Sequence, residues 1–250
     1  MHSEIYQSLA RCLNNRELVA LATVVGGPGI GNQLLVWPRG ETLGDLGSPR
    51  LNQRAALYAE QIVPSFQSGR KRFRWNEAEI DVFFEVFPPP PELVVVGAVH
   101  VAIPLVEFAR LMGFRTVVID PRRAFATAER FPHADRLMVS WPHEAFETQA
   151  LHGASFVVVL SHDLKIDLPA LEITLRSPAR YIGALGSKKT HSKRVDALSE
   201  KGFTDQEIGR IHSPIGLDIG GRRAEEIALS IIAEMVAADH GRLEDRECGL

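Results

Sequence analysis

The sequence has few cysteines, no long apolar run and almost no excess charge, and each shortage limits the class of protein. Only Cys12 and Cys248 occur among 250 residues, without the CxxC spacing of a thiolate metal site. A disulfide framework is not indicated, and a reducing cytoplasm is the expected compartment. No apolar segment approaches the roughly 20 residues that span a bilayer, and the first residues lack a signal-peptide pattern. We therefore expect a cytoplasmic protein without a membrane partner.

The charge and the histidine spacing exclude further classes. The formal net charge is −3, with lysine and arginine spread along the chain, so nucleic acid is not an expected partner. The nine histidines show neither HxxxH nor HExxH spacing, and no metal site is predicted. A GxSxG elbow is also missing. A small molecule or another protein is the expected partner.

Four consecutive prolines, Pro88 to Pro91, divide the chain into two patterns. They lack backbone donors and favour an extended segment, which suits a linker. We predict a small mixed α+β amino-terminal domain over residues 1–87, a linker over 88–92 and a second domain over 93–250.

The second domain alternates short apolar runs with helical spacing. Strands are predicted at 93–97, 116–120, 136–140, 156–161 and 179–186, and helices near 100–112, 124–131, 143–151 and 168–176. Fully apolar strands separated by helices are typical of a parallel sheet covered on both faces. The predicted fold class is α/β, a Rossmann-like doubly wound sheet.

The first strand-to-helix turn of such a sheet is the usual place for phosphate binding. Here it contains Gly97, Ala98 and His100, with Val99 where the GxGxxG template has its second glycine. Asp120 ends the second predicted strand, where it could accept from a ribose or act as a strand-end acid. Arg122 could meet a phosphate or face solvent.

The later strand ends carry polar residues too. His162 and Asp163 could form an acid/base pair, or Asp163 could cap the next helix. Gly186 and Ser187 precede a run of cations that consists of Lys188, Lys189, Lys193 and Arg194. Cations at a helix start oppose its dipole unless they meet an anion, which favours a ligand site over a solvated face.

A turn-rich loop covers residues 213–221 and contains Pro214, Gly216, Asp218 and Gly220. Its backbone could approach a ligand closely, and we expect it to deliver main-chain donors to the pocket of Gly186 to Lys189. The charged residues that follow, Arg222, Arg223, Glu225 and Glu226, are interpreted as a surface ion-pair cluster.

Two long stretches resemble the XdhC/CoxI family. YIGALGSKK, HSPIGLDIG and EEIALSIIAE are similar to the family's YIGxxGS turn, HxPIGLDIG loop and EEIAxSIxAE helix. FPPPPELVVVGAVHVA and the later VVIDPRRAFATAERFP resemble its PPxLxxxGxGHVA and DxR patterns. The likeness covers about residues 87–238.

The resemblance implies an accessory protein of molybdenum hydroxylases such as xanthine dehydrogenase or carbon monoxide dehydrogenase. Such a protein binds the molybdenum cofactor, as phosphorylated molybdopterin or its dinucleotide form, and passes it to the apo-enzyme as a chaperone rather than an enzyme. A cysteine desulfurase is a further candidate partner, and a homodimer is the expected state. We place the phosphate at the Gly186 to Lys189 turn and the nucleotide or pterin near Gly97 and Asp120.

The amino-terminal stretch GDLGSPRLN departs from the family's GxxGGGCxE pattern, and Arg50 stands where the family has its cysteine. Because a thiolate is the nucleophile and the soft metal ligand, a cysteine-dependent step is not expected at this position.

Two other functions also fit the sequence. The first is an NAD(P)-dependent oxidoreductase, with Asp120 on ribose and His162 as acid/base, although its glycine fingerprint is incomplete. The second is an interaction module that scaffolds a client without binding a ligand.

Overall fold

The structure is a computed structural model that describes residues 3–75 and 78–243. Cys248 lies outside the described residues. The chain divides into two compact units, Met1–Pro89 and Pro90–Leu250. No helix in the described part of the chain is long and apolar enough to cross a membrane.

The amino-terminal unit is an antiparallel sheet with one helix on each face. Its helices are α1 (Ser3–Asn15) and α2 (Pro49–Ile62), and its strands are β1 (Val19–Gly26), β2 (Gln33–Val36), β3 (Thr42–Asp45), β4 (Gly69–Trp75) and β5 (Ala78–Phe87). The strand order is β3-β2-β1-β5-β4. Alternate residues of β1 face opposite helices, so that Ala20 and Ala22 pack against α2 while Leu21 packs against α1.

The second unit is a parallel six-stranded sheet with helices on both faces. Its strands are β6 (Glu92–Val96), β7 (Arg115–Ile119), β8 (Arg136–Met138), β9 (Ser155–Val159), β10 (Tyr181–Ala184) and β11 (Ile211–His212). Its helices are α3 (Ala102–Leu111), α4 (Pro142–Thr148), α5 (Leu164–Leu175), α6 (Lys188–Glu200), α7 (Asp205–Ile208) and α8 (Ala224–Asp239). The predicted fold class is confirmed.

The strand order β11-β10-β9-β6-β7-β8 is that of a Rossmann sheet. All residues of β6 and β9 are buried, because helices cover both faces. Residues of α3 and α8 fill the core on one face, and residues of α4, α5, α6 and α7 fill it on the other. The apolar runs read from the sequence are therefore the central strands.

The helix predicted over residues 124–131 is wrong. The structure has a series of turns there, in which the amides of Phe125 and Ala126 both donate to the Arg122 carbonyl. Arg130 donates through Nη1 to the Phe125 carbonyl at 2.8 Å and packs against the Phe125 ring. A side chain thus takes a carbonyl that a helix would have used for a backbone amide.

Candidate functional site

The carboxyl ends of the six parallel strands form one edge of the sheet, and every predicted site residue lies in a connection that follows this edge. The order reverses between β6 and β9, whose connections lead to helices on opposite faces. Open α/β sheets bind ligands in the crevice at such a reversal.

Gly97 brings the β6 and β9 connections into contact at this reversal. Its φ is +107°, and a Cβ there would lie 2.6 Å from the Ser161 amide nitrogen and 2.8 Å from the Ser161 Cα. Real Cβ atoms do not approach backbone so closely, and the left-handed region already disfavours a side chain. The glycine therefore serves the packing of two loops against each other.

Asp120 holds the first strand-to-helix turn, which follows β6, in place. Its buried carboxylate accepts from the Ala98 amide at 2.7 Å, from the Arg122 amide and Nε at 2.9 Å each, and from Arg122 Nη2 at 2.7 Å. Burial by itself raises the pKa of Asp120, but the bonds from Arg122 and Ala98 outweigh burial and hold that pKa below its usual value. The structure thus favours the strand-end role of Asp120 over a ribose contact.

Arg122 and His100 occupy the rim of this turn. The Arg122 guanidinium lies 4.2 Å from the centre of the Phe125 ring and keeps about a third of its side-chain surface exposed. The charge of Arg122 is already paired with Asp120. Arg122 is therefore neither a solvated surface cation nor an unpaired charge that is available to a phosphate. His100 is exposed in the loop that leads into α3.

The β9 connection resolves the two interpretations of His162 and Asp163. Asp163 is the N-cap of α5, and its carboxylate accepts from the Lys165 amide at 2.9 Å. His162 is exposed, with a left-handed φ of 60°. The described residues contain no hydrogen bond between the two side chains, so the structure has the cap and not the acid/base pair.

A buried ion pair that the sequence did not reveal ties α5 to α6 behind these loops. Arg194 Nη2 lies 2.5 Å from Asp167 Oδ2, and both side chains are fully buried. Ser161 Oγ donates to the other oxygen of Asp167 at 2.5 Å, and Arg194 Nη2 also donates to the Leu185 carbonyl at 2.8 Å. Asp167 sits among the apolar residues of α5, which was the one available signal.

The start of α6 concentrates positive charge. Ser187 is the N-cap and accepts from the Thr190 amide, while Lys188 and Lys189 are exposed in a first turn that has no acidic residue. The Nη1 of Arg194 lies 3.2 Å from where a Gly186 Cβ would be. Within the described residues, this buried Nη1 has no hydrogen-bond partner.

The loop over residues 213–221 is held mainly by α8. The Gly216 amide donates to Glu234 Oε2 at 2.7 Å, and Tyr181 Oη donates to the same buried oxygen at 2.5 Å. Pro214 follows a cis peptide bond, and the Gly220 amide donates to Asp218. Three of the loop amides that we expected to serve a ligand, those of Gly216, Leu217 and Gly220, thus have acceptors inside the protein.

One ion pair of the predicted cluster, between Arg223 and Glu226, is present at the start of α8. Arg223 Nε lies 2.8 Å from Glu226 Oε1, and Glu226 also accepts from the amides of Arg222 and Arg223. These backbone bonds, followed by the bond from the Arg223 side chain, lower the pKa of Glu226 to about 2. Arg223 and Glu226 thus satisfy each other's charge.

The residues singled out in the amino-terminal unit do not form a cluster. Arg50 is exposed in the first turn of α2, after the Ser48 cap. Cys12 is fully buried on α1, and burial, with Glu17, raises the pKa of its thiol. A search of the described residues finds no group of three His, Cys, Asp or Glu side chains that could hold a metal ion.

The strand order and its reversal between β6 and β9 define a Rossmann-type α/β protein. Residues 93–235 match the family model described as the XdhC Rossmann domain, which is more than half of the chain. The chain therefore belongs to the XdhC family, and the resemblance found in the sequence is confirmed.

Three curated proteins are similar to this chain in sequence. It is 28% identical to the uncharacterized protein YqeB of Escherichia coli K12, over 82% of this chain and 40% of YqeB. It is 32% identical to a probable xanthine dehydrogenase subunit of Bacillus subtilis 168, over 62% of this chain and 45% of that protein. The molybdenum cofactor insertion chaperone PaoD of E. coli K12 is 37% identical over 36% of this chain and 28% of PaoD. The chain thus spans less than half the length of these relatives.

A solved structure shares the fold. A crystal structure described as a xanthine dehydrogenase from Bacillus halodurans aligns with a TM-score of 0.55 and covers 98% of this chain and 97% of its own. The two sequences are 20% identical, so this likeness concerns the fold alone.

Proposed function

We propose that the chain is a maturation factor for a molybdenum hydroxylase and that it binds the molybdenum cofactor at the carboxyl edge of the six-stranded sheet. Its family supports this role, as do the names of two relatives, a cofactor insertion chaperone and a probable subunit of xanthine dehydrogenase. The observation that carries the proposal is the edge itself, where the exposed Lys188 and Lys189 lie near buried polar atoms that have no partner among the described residues.

The residues at this edge fit a phosphorylated pterin. Its phosphate needs N–H donors and positive charge, which the first turn of α6 offers through its amides, Lys188 and Lys189. The pterin or nucleotide would lie beside the β6 and β9 connections, at the reversal of the strand order where open α/β sheets bind ligands. The chain's own groups bind and orient the cofactor in this scheme.

Delivery completes the proposed role. We propose that the cofactor passes from this edge to the apo-enzyme of a molybdenum hydroxylase. The choice between molybdopterin and its dinucleotide form, a cysteine desulfurase partner and a homodimer all stay predictions.

The NAD(P)-dependent oxidoreductase is the second candidate, and the geometry of Asp120 weighs against it. A dinucleotide would need a free acceptor for its ribose and free amides for its pyrophosphate. Asp120 is buried and already accepts from Arg122 and from the Ala98 amide. The scaffold without a ligand predicts no binding of either cofactor.

Anaerobic equilibrium binding of the whole chain to molybdenum cofactor, and separately to NAD⁺, NADP⁺ and their reduced forms, tests the proposal. We expect tight binding of the molybdenum cofactor, weak binding of nicotinamides, and faster activation of an apo-hydroxylase when the loaded chain is added. Nicotinamide binding alone would overturn the proposal in favour of the oxidoreductase, and binding of neither would favour the scaffold.

A further inference from the structure

A Rossmann domain usually binds the phosphates of its ligand at the first strand-to-helix turn, and in this chain an internal anion already lies there. The Asp120 carboxylate accepts from the Ala98 amide at 2.7 Å. The Arg122 guanidinium, which could have served a phosphate, is bound to the same carboxylate. A second anion at this turn would meet a carboxylate whose charge Arg122 already balances, and it would find one fewer free amide.

The turn between β10 and α6 has the opposite character. The first amides of a helix have no acceptor within the helix, and the helix dipole makes this end positive. Lys188 and Lys189 add two exposed cations, and no acidic residue lies in the first turn. This arrangement costs free energy in the empty protein and gains it when an anion binds.

A second observation, independent of the helix end, points to the same place. Arg194 is fully buried, and within the described residues its Nη1 has no hydrogen-bond partner. Gly186 lies directly over this atom, since a Cβ on Gly186 would be 3.2 Å from it. Native proteins rarely leave a buried charged donor unpaired, so Nη1 at this turn requires an explanation, which a bound ion would provide.

His191, one helical turn before Arg194, also carries a buried polar atom that has no partner within the described ranges. Its buried Nδ1 is likewise without a partner in the part of the chain that the structure describes. Burial first, and the Arg194 charge second, lower the pKa of His191. Ser140 Oγ and Ser213 Oγ, which follow β8 and β11 at the same edge, are also unpaired among the described residues. A further atom that is unpaired in the described part of the chain, Gln33 Oε1, lies in the amino-terminal unit, whereas these four follow strands of the parallel sheet at its carboxyl edge, and two of them lie on α6.

We propose that the phosphate group of the ligand binds at the start of α6, over the Gly186 to Lys189 turn, and not at the β6 to α3 turn. The Thr190 amide is held by the Ser187 cap, so the amides and side chains of Lys188 and Lys189 contact the phosphate, and Arg194 lies behind the turn. The identity of the ligand rests on the proposed function, whereas the position of the site rests on the structure alone.

Titration of the ¹⁵N-labelled full chain with inorganic phosphate locates the site without the cofactor. The amide signals of Gly186 to Thr190 should shift with one saturating curve, and those of Ala98 to Val101 should not. Shifts confined to the β6 to α3 turn, or no saturable shift at either turn, would overturn the proposal.

A charge reversal separates binding from folding. In the double variant Lys188→Glu/Lys189→Glu, the new carboxylates suit the helix dipole, so the urea midpoint should stay the same or rise. Phosphate affinity should fall at least about tenfold, because two cationic contacts become repulsive. Lys201→Ala is the control, since it removes a lysine at the far end of α6, about 18 Å away. Equal phosphate affinity of the double variant and the wild type would overturn the site.

The proposed function and the proposed phosphate site can be refuted independently. If phosphate binds at α6 but the chain neither binds molybdenum cofactor nor activates a hydroxylase, the proposed function is wrong and the site stands. If the cofactor binds and the double variant binds it equally well, the function stands and the site is wrong.

Discussion

Two strand-to-helix turns of one sheet differ in how their charges are satisfied. At the β6 to α3 turn, the carboxylate of Asp120 and the guanidinium of Arg122 neutralise each other and occupy the Ala98 amide. At the β10 to α6 turn, the buried Asp167 and Arg194 pair leaves Nη1 without a partner among the described residues, and two lysines stand exposed above it. The same topology thus yields a closed turn and an open one, and the difference lies in which side chains fill each turn.

The largest effect should come from breaking the pair beneath the open turn. Asp167→Asn leaves the buried Arg194 charge uncompensated, and we expect a loss of about 3–5 kcal/mol in the free energy of unfolding. Glu172→Gln is the matched control on the same helix, because its partner Lys201 on α6 is about half exposed. The control should lose less than about 1 kcal/mol in urea unfolding. Similar losses for both variants would show that burial does not set the strength of the α5 to α6 contact.

The second-largest loss of stability should come from disrupting the contact between the β6 and β9 connections. Gly97→Ala places a Cβ against the Ser161 backbone at a positive φ, with an expected cost of about 2–4 kcal/mol in urea unfolding. Gly113→Ala has a similar φ of +82° but open space, so it should cost only about 1 kcal/mol. Equal costs would mean that backbone conformation alone, and not the close approach of the loops, requires glycine at position 97.

Asp120→Asn should convert the closed turn into an open one. The asparagine side chain carries no charge and has one acceptor oxygen fewer than aspartate. We therefore expect the free energy of unfolding to fall by about 1–3 kcal/mol at neutral pH. Inorganic phosphate should then shift the Ala98 amide signal, which we expect it to leave unchanged in the wild type. Asp163→Asn is the control, because asparagine caps a helix nearly as well as aspartate. No new shift at Ala98 would show that the internal carboxylate does not keep anions from this turn.

The same variant gives a pH dependence with a defined sign. The pKa of Asp120 is lowered in the folded state, so the unfolded state takes up its proton first as the pH falls. The stability difference between wild type and Asp120→Asn should therefore be constant above about pH 5 and should shrink below about pH 4. Urea unfolding at a series of pH values measures it, and a difference that grows in acid would contradict this sign.

The smallest effect is a titration shift at α6. Bound phosphate favours the charged form of a nearby imidazole, so the lowered pKa of His191 should rise when phosphate is added. His152 is the control, since burial, with Arg115, also lowers its pKa, but it precedes β9 at the opposite edge of the sheet. The Cε1–H signals of both residues report this by NMR. A shift at His152 equal to that at His191 would indicate a general salt effect.

The fold could be predicted where burial dictates composition. The runs LVVV, TVVI and FVVV are buried on both faces and lie in β6, β7 and β9. The sequence did not reveal β3 and β4, because they are the edge strands of their sheet and carry charged or turn residues in place of an apolar pattern. The turns after Arg122 were mistaken for a helix because the bond from Arg130 to the Phe125 carbonyl has no signature in periodicity.

The candidate site could be predicted less completely. Glycines and lysines after strand ends are visible in the sequence, since their local conformation and charge are unusual. The partners that decide their roles are distant along the chain. Asp167 meets Arg194 after 27 residues, and Glu234 meets Tyr181 across 53. Each of these carboxylates lies among buried apolar residues of its helix, which marks a buried acid but does not name its partner.

The most direct test of the open turn as the cofactor's phosphate site is an anaerobic titration of molybdenum cofactor into the wild type, Lys188→Glu/Lys189→Glu and Lys201→Ala. We predict tight binding by the wild type and by Lys201→Ala, and a loss of at least about tenfold in the double variant at unchanged stability. Equal affinity for all three proteins would contradict the open turn as the phosphate site, and no binding by the wild type would contradict the cofactor itself.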